Sequence, residues 1–307
     1  MPQVSIILPN YNYARYLKER VTSILVQTMR DFELIYLDDA STDESNAVIR
    51  QFSEDPRLHL NLFDNNSGTV YQRWNDGAAQ ATGDWLWFAG ADDSAHPQFL
   101  ERLLALARQH PTSAILYSRP AAIDGRGRLC SMYCHWCSGT TQALEGNFFC
   151  VGQEAIERLS KGCYLSTASS MPIRRDAFEE VRGFDVNLWV AADWDLYLHL
   201  LHRHDIAYTA EPLVYFRQHG TNATSTTKAL ISDLSSALCL ARSYRRMVDD
   251  PRYNRDLKQT MLRRVKGRIF DIFTNPPSQI TSQISLAAQE IFEIVPDKGL
   301  RRYMVRN

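Results

Sequence analysis

No glycine occurs in this 307-residue chain before Gly68. That absence excludes a glycine-rich loop directly after the first apolar run, the device that cradles a triphosphate in nucleotidyl-transfer enzymes. Long hydrophobic runs are missing too, and nothing approaches the roughly 18 apolar residues a membrane-spanning helix needs. Met1-Pro2-Gln3 leads straight into an apolar run, with neither a basic region nor a small-residue cleavage site, so a cytoplasmic protein is the expectation. Charge of one sign is also lacking. The 34 Lys and Arg against 35 Asp and Glu leave a formal net charge of −1, which argues against a protein that grips nucleic acid along its phosphates. There are no internal repeats and no low-complexity tract. Six cysteines without an export signal are expected as reduced thiols.

What is there reads as a folded α/β protein, with 45% hydrophobic and 22% charged residues. The apolar run Val4 to Leu8 ends at Pro9-Asn10, as a buried parallel strand does. Leu17, Val21, Ile24 and Leu25 then repeat at helical spacing. A second strand, Glu33 to Leu37, empties into Asp38-Asp39-Ala40-Ser41-Thr42-Asp43. Leu58, Leu60 and Leu62 alternate with polar residues in a third, and a helix over 70–81 follows the turn Asn65 to Gly68. Trp85 to Ala89 is a buried strand ending in Gly90-Ala91-Asp92-Asp93. The pattern predicts a doubly wound sheet flanked by helices, with the polar clusters at 9–12, 38–43, 65–68 and 90–93 gathered at the carboxyl edge where such sheets bind ligands. Later elements are expected as a helix near 97–109, strands at 114–118, 165–173 and 212–216, and helices at 174–181 and 192–204. From about 228 the chain turns helical to its end, broken at Asp249-Asp250-Pro251 and Asn275-Pro276-Pro277.

Acidic residues at strand ends either cap the next helix or hold a metal. For Asp92-Asp93, the small Gly90 and Ala91 leave room for a bulky ligand, and carboxylate oxygens suit Mg²⁺ or Mn²⁺ bridging to a diphosphate. Asp38-Asp39 has the same two readings, with Ser41 or Asp43 as caps or a carboxylate meeting a nucleobase or ribose. Pro9-Asn10-Tyr11-Asn12 offers a ring and amides to a base.

These segments resemble the inverting glycosyltransferases of family 2, with a GT-A fold. The resemblance rests on Val4 to Asn12, on Asp38 to Asp43, and on Gly90 to Asp93 in place of the family's DXD region. It continues through Arg174 to Phe178, Gly183-Phe184-Asp185, Asp193-Trp194-Asp195-Leu196, and Arg217-Gln218-His219 through Asn222. It covers about residues 3–225. The expected fold is therefore GT-A, a doubly wound Rossmann-like mixed sheet. A transferase domain would span 1–225, with a nucleotide-sugar half at 1–118 and an acceptor half at 119–225, and 226–307 would form a helical extension.

By the same resemblance, Pro9, Asn10, Tyr11, Asn12, Asp38, Asp39, Asn66, Gly68, Ala91, Asp92 and Arg217 would bind the nucleotide sugar. Asp92, Asp93 and His219 would hold Mn²⁺ or Mg²⁺, and Thr167 to Ser170 would line the acceptor groove. Asp193 would be the catalytic base, with Asp195 its rival. The two stand about 200° apart on a helix and cannot face one site equally. The donor would be a nucleoside-diphosphate sugar, UDP favoured. The acceptor would be a saccharide or lipid-linked saccharide in surface polysaccharide (O-antigen or capsule) synthesis. Three positions depart from the family pattern, Gly90, Ala192 and Arg73 one place early, and the first two motivate the rival reading of a nucleotide-sugar-binding scaffold.

Two segments raise separate expectations. Cys130, Cys134, His135 and Cys137 hold four potential zinc ligands, against ordinary thiols as the default. The basic stretch 242–268 is either a solvated helical face, a contact with an anionic membrane surface, or a homodimer interface.

Overall fold

A computed structural model describes residues 1–131, 146–161, 165–188, 191–220, 229–274 and 282–295. The first half alternates strand and helix: β1 (Val4–Asn10), α1 (Ala14–Leu25), β2 (Phe32–Asp38), α2 (Ser45–Arg50), β3 (Leu58–Leu62), α3 (Val70–Gln80) and β4 (Trp85–Phe88). Every residue of β1 is buried. Its side chains divide by parity, as strand geometry requires. Ile6 and Leu8 face the core built with Leu17, Val21 and Ile24 of α1, while Ile7 faces Trp74 of α3 and Phe88 of β4. Helices on both faces thus cover a parallel unit in the order β3-β2-β1-β4.

The sheet then changes character. After β5 (Ser94–Ala95) and α4 (Phe99–Gln109) come β6 (Ser113–Asp124), β7 (Leu129–Ser131), β8 (Phe148–Cys150), α5 (Gly152–Lys161), β9 (Pro172–Arg174), α6 (Arg175–Glu180), α7 (Ala192–Leu201) and β10 (Asp205–Gln218). The order continues β4-β9-β6-β10-β5, and the three-residue β9 runs antiparallel to both β4 and β6. The sheet is mixed, as expected. Residues 118 and 119, where the two halves would meet, lie inside β6.

Three elements differ from expectation. Residues 165–173 are not one strand: Ala168–Ser170 form a 3₁₀ turn whose leading Thr167 accepts the Ser169 N–H, and only Pro172–Arg174 pair. Hydroxyl side chains that bond the local backbone compete with a sheet ladder in this way. Leu60 and Leu62 are exposed, because β3 is the edge strand. The strand expected at Pro212–Phe216 is part of the longer β10, whose register slips on either side of Pro212. A proline removes one ladder donor and is tolerated at such an irregularity.

The chain continues as α8 (Ala229–Val248), α9 (Arg255–Thr274) and α10 (Ser282–Ile294). Their core joins that of the sheet through Ala237, Leu238, Met261, Val265 and Ile291. The basic stretch is partly spent inside the molecule. Arg242 pairs with Glu290, Asp185 and Asp195, Arg252 with Asp250, and Lys258 and Arg264 reach backbone carbonyls of Val248 and Leu159. No described helix is long and apolar enough to cross a membrane.

Candidate active site

The loops after β1 and β2 are locked together. Asn12 and Ala40 both take left-handed backbone conformations, φ 61° and 63°. The Asn12 side-chain oxygen accepts from the Thr42 and Asp43 N–H groups at 2.8 and 3.2 Å. Asp38 is 1% exposed, and its oxygens accept from Asn10, Tyr36 and the Ser41 N–H. Asp43 accepts from the N–H groups of Ala14 and Ser45, tying the starts of α1 and α2 to one carboxylate. Asp39 accepts from Ser67 and from Arg73 Nε at 2.6 Å, and Asn66 donates to the Asp39 carbonyl. Three of the four polar clusters are therefore one hydrogen-bonded unit. Its outward groups are Tyr11, 46% exposed, Asn12 and Gly68 (φ 81°). The displaced Arg73 has a function here: it anchors Asp39 while its guanidinium lies 3.5 Å over the Phe63 ring.

The fourth cluster follows β4, beyond Pro9 and Asn10 of the neighbouring β1. Asp92 and Asp93 diverge. Asp93 is 3% exposed and accepts the Arg217 N–H at 2.9 Å. Burial and the charge of Asp92 raise it above the ordinary carboxylate range, with Arg20 acting in the opposite sense. Asp92 keeps an edge open, and its Oδ2 lies 3.0 Å from Nε2 of His219, a residue 127 positions away. The His219 ring is held among Tyr13 and Tyr16. A hard carboxylate oxygen and an imidazole nitrogen suit a divalent cation that takes its remaining ligands from a diphosphate and water. Among the described residues no third His, Cys, Asp or Glu joins them. Asp93 thus turns inward, away from the ligand position expected of it.

Arg217 also departs from expectation. It is 1% exposed, donates from Nε to the Asp92 carbonyl at 2.7 Å and from Nη1 to the Asp124 carbonyl, and pairs through Nη2 with Glu19. It positions the acidic loop from behind. Ala91, 6% exposed, is likewise part of the loop's packing. Thr167 to Ser170, expected at a groove, are buried or nearly so. Ser169 braces β4 instead: it accepts the Gly90 N–H on Oγ at 2.8 Å and the Trp87 indole N–H on its carbonyl at 2.7 Å. This crowding explains Gly90. A Cβ there would stand 3.1 Å from Asp93 Oδ2 and from Ser169 Oγ.

Asp193 opens α7. Its Oδ1 accepts from the Trp194 N–H at 2.8 Å and faces the Tyr71 hydroxyl at 3.5 Å. Burial pushes it up to about 6, these contacts pulling weakly the other way. Asp195 is 8% exposed and turns to Arg242 at 3.4 Å and Arg246 at 4.0 Å. The two acids diverge as their spacing requires. Ala192 is fully buried, so a carboxylate at that position would be desolvated.

Arg20 escaped the sequence reading. It is fully buried in α1, 4.9 Å over the Trp87 ring, and its three guanidinium nitrogens have no hydrogen-bond partner among the described residues. Burial pulls it down to about 10, while Asp93 and Asp92 resist. Its signal was present: Arg20 falls on the apolar stripe between Leu17 and Val21. Of the candidate zinc ligands, Cys130 is exposed, and Cys134, His135 and Cys137 lie outside the described residues.

Residues 5–182 match the family model described as glycosyl transferase family 2. The chain is 30% identical over 222 residues to an uncharacterized glycosyltransferase of Nostoc sp., covering 72% of this chain and 66% of the relative. It spans about half to two thirds of the length of the curated relatives it matches. Among solved structures it is similar to Staphylococcus aureus TarS 1–349 in complex with UDP-GlcNAc, with TM-score 0.71, 17% identity, and 97% of this chain and 83% of that one covered. It is also similar to the mannosyltransferase PcManGT of Pyrobaculum calidifontis in complex with GDP-Man and Mn²⁺, with TM-score 0.59, 14% identity, and coverage of 99% and 83%.

Proposed function

The chain belongs to glycosyl transferase family 2 and has the GT-A fold, and from that premise we propose that it is a metal-dependent inverting glycosyltransferase. Its donor is a nucleoside-diphosphate sugar, UDP-linked by preference, and its acceptor a hydroxyl of a saccharide or lipid-linked saccharide in surface polysaccharide synthesis. Residues 1–225 form the transferase domain and 226–307 an extension. The observation that carries this reading is the meeting of Asp92 and His219, which lie 127 residues apart in sequence and 3.0 Å apart in the fold.

Asp92 and His219 hold the divalent cation, Mn²⁺ or Mg²⁺, which when bound neutralises charge on the departing diphosphate. Asp93, Arg217 and Ala91 fix the loop that carries Asp92. The rigid unit of Pro9, Asn10, Asn12, Asp38, Asp39, Asn66 and Gly68 receives the nucleoside, with the exposed Tyr11 ring beside the base. Asp193 accepts the proton of the attacking acceptor hydroxyl. A carboxylate raised to about 6 is still ionised at neutral pH yet a stronger base than a solvated one, which suits that role. The Tyr71 hydroxyl donates to the same carboxylate at 3.5 Å.

The test is a thermal-shift panel of UDP, dTDP, GDP and CMP, each with Mn²⁺, Mg²⁺ or EDTA. A ligand at about 100 times its Kd stabilises the fold by roughly 2.7 kcal/mol. A shift with one diphosphate that disappears in EDTA is expected. No shift with any nucleotide, with or without metal, overturns the reading.

A further inference from the structure

A second concave site lies on the far side of α7. Asp193 opens that helix; His199 and His202 stand six and nine residues later, about 9 and 14 Å along the axis. With Arg203, His204, Arg246, Asp250, Arg252 and Glu180 they line a cavity of about 690 Å³. That volume falls in the range that takes a small ligand. The wall is predominantly cationic or imidazole in chemistry, contributed by the end of α7, by α8 and by the turn before α9.

Most of these groups are already engaged. Arg203 and His204 share Glu180. Arg252 pairs with Asp250 at 2.6 Å. His202 is buried, with Tyr253 and Ser243 hydroxyls on its two ring nitrogens. Two groups are left over. Arg246 makes no hydrogen bond to a described residue: its buried Nη1 faces the equally unpartnered Oδ1 of Asp195 at 4.0 Å, and its Nε and Nη2 are left for a ligand. His199 makes no hydrogen bond to any described residue, and burial together with Arg246 and Arg203 holds it neutral. A half-buried guanidinium with one long contact to Asp195, and a neutral imidazole, leave N–H donors unused on this wall. An oxyanion would satisfy both: two N–H bonds from a planar guanidinium and one from the imidazole match a tetrahedral phosphoryl group.

We propose that this cavity binds the phosphoryl group of a soluble small molecule, through Arg246 and His199, at a site separate from the one that holds the donor. The concave shape favours a soluble ligand over a membrane headgroup. The proposal does not depend on the transferase reading, because none of its residues serves that site.

The test is calorimetric titration of the full chain with inorganic phosphate, pyrophosphate and glycerol 3-phosphate in EDTA, so that no metal–diphosphate complex forms at Asp92. Wild-type protein and the Asp92→Asn variant are expected to bind one equivalent alike. Arg246→Gln and His199→Asn should each weaken binding about ten- to hundredfold, the scale of a lost charge-assisted hydrogen bond. The His199 ring signals in the NMR spectrum of the unmodified protein should shift on titration, which reports on the site even if a variant folds poorly. Binding that survives Arg246→Gln unchanged, no soluble binding at all, or binding seen only with vesicles containing phosphatidic acid would each overturn the proposal.

Discussion

Replacing Asp193 by asparagine should make the protein more stable and inactive at once. The carboxyl sits in surroundings that raise it from 3.8 to about 6. That rise of roughly two pH units corresponds to about 3 kcal/mol by which the fold disfavours the charged form. Asp193 is only partly removed from solvent, and screening reduces the figure to about 1–3 kcal/mol. An asparagine oxygen preserves both contacts, since the Trp194 N–H and the Tyr71 hydroxyl meet the same Oδ1. The sign follows from linkage. Because the folded-state value lies above the unfolded one, the native protein holds its proton longer. The penalty is therefore absent below about pH 4, grows as pH rises towards 6, and is complete above it. The Asp193→Asn variant should melt roughly 2–6 °C higher than wild type at pH 7.5, and the gap should close as pH falls to 4.5. Sugar transfer should be lost by at least about a hundredfold. Paired melting curves across pH with turnover assays measure both. A variant no more stable than wild type at pH 7.5, or a gap that stays constant with pH, would refute the assignment of a strained, charge-storing carboxylate. Retained turnover would refute its role as base.

Three further outcomes follow from the geometry. Asp92→Asn and His219→Ala should each lower apparent Mn²⁺ affinity by at least about tenfold, read as loss of the metal-dependent part of the nucleotide thermal shift. Arg242→Gln should cost about 1–3 kcal/mol in urea unfolding, because it strips Glu290, Asp185 and Asp195 of a shared cation. Arg242→Lys should recover only part, since an ammonium cannot reproduce the two-pronged contact with Glu290 at 2.7 and 2.9 Å. Gly83→Ala should destabilise by about 1–3 kcal/mol or more, measured by the same unfolding. Its Cβ would stand 2.7 Å from the Ser5 nitrogen and 2.8 Å from the Val4 carbonyl carbon, backbone atoms of the central strand that cannot swing aside.

The alternation of apolar strands and amphipathic helices in the first 90 residues was legible because each signal is local. Val4 to Leu8 needs no distant partner to read as buried. The carboxyl-edge loops were legible for the same reason, and their meeting follows from parallel connection. What was hidden depends on pairing across long stretches of chain. Asp92 and Asp93 are adjacent and chemically identical, yet only Arg217, 124 residues away, decides which of them turns inward. Arg217 carries the residue type of an anion-binding group, and only three-dimensional packing shows that Asp92, Asp124 and Glu19 consume it. β9 was hard to place because three residues carry too little periodicity to mark a strand. Arg242 was visible only as one of many basic residues in a helical run. Its bond to Glu290, 48 residues on, separates it from the solvated ones.

The placement of β9 has a consequence for how the chain is made. β4 is finished at residue 88 and pairs with β1, but its neighbour on the other side is not synthesised until residues 172–174. Until then a nascent chain that has assembled β3-β2-β1-β4 presents β4 as a raw edge, with apolar Trp85, Leu86 and Trp87 along it, and such edges invite pairing with other chains. β6, complete at residue 124, can touch the rest of the sheet only across the same missing strand. The fold therefore closes late and all at once. A fragment ending before residue 172 is an aggregation hazard and no half-sized module, because residues 172–174 must be made before the two parts of the sheet can join.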